Sequence, residues 1–132
     1  MKRYVDEAGS TQVRAIRGPL VVSAVARVEV VSAINRVARE QGSLAAGEVL
    51  LAAFTADWRS RPDEPGGLLR VRLGDEVLEQ AAELTGRHLL RALDAIQLAS
   101  ALAARAASTD VDRFVTYDER LAHAAVTEGF DL

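Results

Sequence analysis

Three carboxylates in this chain, Glu29, Asp94 and Asp118, have the type and placement for joint chemistry. Asp94 stands where the apolar stretch 89–102 enters a strongly helical run, with Ile96, Ala99 and Leu102 at helical spacing. Two readings stand for it. As an N-cap it accepts from the amides of Ile96 or Gln97 at the positive end of the helix dipole; alternatively it points into a cleft and binds a metal ion. Glu29 lies in residues 21–37, a run nearly all apolar or small, and on a helix it shares a face with Val25, Ala26, Ser32 and Ala33. A carboxylate in such surroundings is poorly solvated and needs a partner, either an arginine such as Arg36 or Arg91, or a metal ion. Asp118 follows a predicted strand and precedes a helix, where ligands collect in parallel α/β sheets, and it is equally a good N-cap; Thr116 brings a hydroxyl near it. Together the three offer hard oxygen ligands suited to Mg²⁺ or Mn²⁺. An ion of that kind activates water and stabilises charge on a phosphodiester. Glu48, Asp57 and Glu79 fall on polar faces and read as surface charge.

The elements that must position these acids alternate between strand and helix. Residues 20–23, Leu-Val-Val-Ser, read as a short buried strand, followed by a helix over 24–41 that Gly42 ends. Ser43 caps a second helix running to about Trp58. Residues 61–67 form a surface loop rich in proline and glycine. Residues 69–73 alternate apolar residues with arginine, as in a strand with one wetter face or at an edge position. Asp75 caps a helix to about Arg87, and the Asp94 helix continues to about Ala107. Residues 113–117 read as a third strand and 119–128 as a last helix closed by Gly129; Phe130 to Leu132 are a frayed end or the start of a further strand. Before all of these, Ser10 caps a short helix through Arg17 that Gly18-Pro19 ends. Strands separated by helices imply a parallel α/β sheet with helices on both faces, in one domain over residues 1–132.

Composition narrows the chemistry. The 132 residues contain no cysteine, so disulfides, thiolate zinc sites and a cysteine nucleophile are excluded. The two histidines, His88 and His123, lie far apart in sequence and lack metal-ligand spacing, which argues against a histidine zinc site. No nucleophile elbow is present, and Gly66-Gly67 precedes a strand where a phosphate-binding loop would follow one. The net charge of −3 argues against purely electrostatic nucleic-acid binding, yet leaves room for an acidic site with a basic flank from Arg27, Arg36 and Arg39 or from Arg87 and Arg91. No apolar run reaches transmembrane length and no signal peptide is visible, so the chain reads as cytoplasmic.

Residues 93–99 (Leu-Asp-Ala-Ile-Gln-Leu-Ala), 115–121 (Val-Thr-Tyr-Asp-Glu-Arg-Leu) and 26–30 (Ala-Arg-Val-Glu-Val), in this order and spacing, resemble the PIN domain. More narrowly they resemble the VapC-type toxins of bacterial toxin–antitoxin pairs. The resemblance covers nearly the whole chain, and the segment around Asp94 is its most specific piece. It implies a PIN-like three-layer α/β/α sandwich with a parallel sheet, and a ribonuclease that uses Mg²⁺ or Mn²⁺ to activate water. By resemblance Glu29 takes the role of the helix glutamate, Asp94 that of the aspartate opening the central helix, and Asp118 that of the aspartate after the later strand. A VapB-like antitoxin in the cleft, an RNA substrate and a homodimer are the partners implied.

The family begins with a strand that ends in an aspartate, a principal metal ligand. Here the chain opens Lys2-Arg3-Tyr4-Val5-Asp6-Glu7, which resembles the segment just after that motif. The first strand and its aspartate are therefore expected to be missing, with Asp6 matching a later acidic position, and the chain is expected to be cut short at its start. Loss of that ligand weakens metal affinity and catalysis, and loss of a central strand leaves backbone groups unpaired. An alternative function follows: a PIN-derived interaction module, impaired or inactive in catalysis, that binds an antitoxin-like partner.

Overall fold

A computed structural model describes residues 20–61, 63, 68–108 and 110–132. The expectations for the first strand, for Asp6, for the short helix at 10–17 and for most of the 61–67 loop lie outside these residues. The described chain holds β1 (Leu20–Ser23), α1 (Ala26–Glu40), α2 (Leu44–Arg59), β2 (Leu68–Val71), α3 (Asp75–His88), α4 (Ala92–Ala107) and α5 (Glu119–Thr127). It is an α/β fold in which β1 and β2 pair in a parallel two-strand sheet. The described residues divide into two compact units, one formed by Leu20 and those between Ala26 and Leu69, the other by Val21–Val25 and those from Arg70 on.

In the first unit α1 and α2 pack as a helical pair. The turn between them is specified residue by residue. Gly42 takes φ +64°, which leaves its amide on Arg39 O at 3.2 Å and the Ser43 amide on Ala38 O at 3.0 Å, closing the carbonyl end of α1. Ser43 then accepts from the Ala46 amide at 3.2 Å and opens α2, as its type predicts. The helices approach at Gly47, where a Cβ would lie 2.7 Å from the Ala38 Cβ. Ile34, Ala38 and Phe54 are buried here, and the Phe54 and Trp58 rings lie 5.7 Å apart. Apolar as the run from 21 to 37 is, only one face of α1 is covered, and Val28 is 70 % exposed.

In the second unit the core is built on α4. Ala95, Leu98, Ala99 and Leu102 pack with Val77, Ala81 and Leu84 of α3 and with Leu121, Ala124 and Ala125 of α5. Alanine at alternate contact positions keeps the helices close. Phe114 and Phe130 complete this cluster with ring centroids 5.7 Å apart, and the Arg105 guanidinium lies 4.3 Å over the Phe130 ring.

Several sequence expectations are corrected. The strand expected at 69–73 is Leu68–Val71, with Leu68 buried and Leu69 exposed, so its burial does not alternate as the arginines suggested. The strand expected at 113–117 is a single parallel bridge, Arg113 to Asp131. The Phe114 amide donates to Asp131 O at 2.7 Å and the Asp131 amide to Asp112 O at 2.9 Å, after which exposed Val115 and Tyr117 leave the pairing. The C-terminus is accordingly not frayed: Phe130 is buried and Asp131 is paired. Gly74, not Asp75, occupies the N-cap of α3; Asp75 is the first helical residue and complements the dipole without a capping hydrogen bond.

Candidate functional site

Asp94 is not the N-cap of its helix. Arg91 holds that position with extended backbone, no side chain caps the helix, and Asp94 falls at the third helical residue. The helix starts earlier than the sequence suggested because Ala92 and Leu93 propagate it as readily as Ala95 does. Asp94 is half-buried. Burial raises its carboxyl above the ordinary aspartate range, the charge of Asp118 raises it further, and the neighbouring Arg91 guanidinium opposes both.

Asp118 does cap α5, accepting from the Leu121 amide at 2.8 Å. Its own amide donates to Thr116 Oγ1 at 3.1 Å, so the threonine hydroxyl fixes the approach to the cap. One oxygen is thus committed to the helix while the carboxylate as a whole stays exposed. The second unit therefore brings together two of the three acids singled out by sequence, from the first turn of α4 and the start of α5. Two carboxylates whose charges repel, one of them half-buried, offer hard oxygen donors of a kind that a divalent cation would neutralise. The charge and oxygen chemistry of the pair fit a divalent ion of the magnesium type.

Glu29 belongs to the other unit. It lies in the first turn of α1, is half-buried, and has an interaction partner. Arg36, one partner considered for it, is exposed, and Arg91, the other, acts electrostatically on Asp94. Among the described residues no three carboxylate, imidazole or thiolate side chains gather closely enough to hold a metal ion.

A second cluster, centred on Glu128, carries no local signature in the sequence. Its carboxylate accepts from Arg87 Nη1 at 2.8 and 3.0 Å and lies 2.9 Å from His88 Nε2. Its main-chain oxygen accepts from Arg105 Nη2 at 2.8 Å. Burial pushes the Glu128 carboxyl upward, but the hydrogen bonds from His88 and Arg87 and their charges outweigh it and hold it below the usual glutamate range. Forty residues separate His88 from Glu128, so no local spacing could reveal the pair.

The chain belongs to the PIN domain family, whose sequence model matches residues 5–126. The α/β content and parallel sheet agree with the PIN-like α/β/α fold. Comparison with curated proteins and with solved structures found no match. Family membership points to a nuclease, and PIN domains generally use divalent metal ions. No helix among the described residues is long and apolar enough to cross a membrane.

Proposed function

We propose that this chain is a Mg²⁺- or Mn²⁺-dependent endoribonuclease of the VapC toxin type, acting in the cytoplasm on RNA. The observation that carries the reading is the Asp94–Asp118 pair, two like charges at the openings of α4 and α5 that lie near enough for Asp118 to act on the Asp94 carboxyl. Asp94 and Asp118 would hold the ion. Glu29 is proposed as a further acidic residue of the machinery on the family resemblance, by its place on the first helix after β1. A bound divalent ion supplies activation of water and charge stabilisation on the phosphodiester. The chain's own share is positional. Asp118 is fixed by the Leu121 amide, so its remaining oxygen lone pairs keep one orientation. Asp94 is carried, half-buried, on the first turn of α4 directly before the core residue Ala95. Arg91, exposed beside Asp94, is available to a phosphate oxygen. A VapB-like antitoxin would restrain the activity by covering the acidic residues, and a homodimer is the expected assembly.

The test is RNA cleavage by the 132-residue chain with Mg²⁺ or Mn²⁺, with and without chelator, against Asp94→Asn prepared identically. Cleavage that needs the metal and disappears in the variant supports the nuclease. If wild type leaves RNA intact at every metal concentration, the interaction-module function replaces it, and co-purification of an antitoxin-like partner becomes the expected finding.

A further inference from the structure

Between the end of α3 and the outer face of α5 lies an open groove of about 500 Å³, lined by Arg87, His88, Leu89, Glu119, Arg120 and His123. It belongs entirely to the second unit and adjoins the acidic pair along the chain: Glu119 and Arg120 directly follow Asp118, and only residues 90–93 separate Leu89 from Asp94. Its donors are arranged for an anion. Glu128 uses only Nη1 of Arg87, which leaves Nη2 and Nε of a half-exposed guanidinium without a carboxylate among the described residues. The same carboxylate fixes His88 at the back of the groove. Arg120 makes only a 3.5 Å contact from Nη1 to Leu89 O, and the His123 ring is exposed. Of the lining side chains, Glu119 alone carries negative charge. At the rim Leu89 sits in the left-handed region at φ +53°, a conformation unfavourable for leucine, with its side chain 76 % exposed. That backbone turns the chain sharply between α3 and α4 and presents the Leu89 carbonyl to Arg120.

We infer that this groove is a phosphate-binding subsite that holds an RNA strand alongside Asp94 and Asp118. The inference rests on the nuclease reading and adds the surface that would position its substrate. Guanidinium forks match phosphate oxygens in geometry as well as charge, and an exposed imidazole offers a flat face to an unstacked base. An acidic protein segment would need the same charges, but only a phosphodiester strand has a bond on which a divalent ion held by the neighbouring carboxylate pair could act.

The test measures binding without cleavage. Fluorescence anisotropy of a short single-stranded oligoribonucleotide is followed in chelator, over a range of salt, for the full chain and for Arg120→Gln, Arg120→Gln/His123→Gln and Glu119→Gln. All three side chains are exposed, and matched thermal unfolding controls for folding. Arg120→Gln is expected to weaken binding about 5- to 10-fold through loss of a charge-assisted contact. It should also flatten the dependence of log K on log salt by roughly 0.7, the value for one phosphate contact on a single strand. The double variant binds more weakly still, and Glu119→Gln binds more tightly than wild type. Wild-type affinity and salt slope in the double variant overturn the subsite. So does competition in which polyglutamate displaces RNA from wild type and depends on Arg120. Failure of the nuclease is visible separately, as uncut RNA with Mn²⁺ present while anisotropy still reports binding through Arg120.

Discussion

Replacing Glu128 by glutamine keeps an acceptor oxygen and nearly the same shape but removes the charge that holds the end of α3 to the end of α5. Glu128 is 13 % exposed at its side chain, His88 8 % and Arg87 52 %. Hydrogen bonds to charged groups are worth roughly 1.5–3 kcal/mol when well buried. The exposed Arg87 arm is screened by solvent, and glutamine retains part of the bonding, so a loss of about 1–2 kcal/mol is expected. For a chain of this size that corresponds to a drop in Tm of roughly 4–8 °C near neutral pH. The pH dependence identifies the cause. Because the folded carboxyl is held below its ordinary value of 4.5, its stabilisation is complete above that value and is lost as pH falls through the lower folded-state pKa. Thermal unfolding of wild type and Glu128→Gln should therefore differ most at neutral pH and converge as pH falls well below 4.5, through the folded-state pKa. An equal difference at neutral and at acid pH would refute the charge argument and leave only a packing effect.

Other consequences can be read at single residues. Leu89→Gly removes a left-handed leucine that costs about 1–2 kcal/mol, at the expense of a more flexible unfolded chain; with the leucine side chain 76 % exposed, Tm should rise by a few degrees, and a fall would contradict the strain. Gly47→Ala places a methyl 2.7 Å from the Ala38 Cβ, and the α1–α2 pair should lose roughly 1–3 kcal/mol, seen as faster amide exchange across Ile34 and Phe54. Asp118→Ala forfeits the cap on Leu121 and should cost about 1 kcal/mol, whereas Asp118→Asn keeps the cap. In Asp118→Asn the Asp94 carboxyl, relieved of the neighbouring charge, should titrate lower by NMR than in wild type.

How far the sequence reached depends on whether the determinant was local. The turn at Gly42-Ser43 was legible because a helix-ending glycine followed by a capping serine is a chemical instruction carried by adjacent residues. Asp118 was placed correctly at the opening of α5 for the same reason. Asp94 was legible as a candidate but not as a geometry. Alanine and leucine carry no boundary signal, so the true start at Ala92 and the non-capping role of the aspartate emerge only from the structure. The segment 113–117 has strand composition, yet a strand exists only where a neighbour pairs with it, and here pairing stops after one bridge. The Glu128 cluster and the basic groove beside it join α3 to α5 through residues about forty positions apart, a juxtaposition that spacing cannot encode.

The proposed function stands or falls with a divalent-ion site at Asp94 and Asp118. Its most direct test is Mn²⁺ binding to the metal-free protein, followed by loss of the free-ion EPR signal, in wild type, Asp94→Asn and Asp118→Asn. Asparagine keeps the shape at both positions and keeps the cap at Asp118, so a difference reports on charge and ligation alone. Saturable binding by wild type that weakens severely in each variant is the predicted result. Binding of equal strength in all three proteins, or none in wild type at millimolar Mn²⁺, would contradict it.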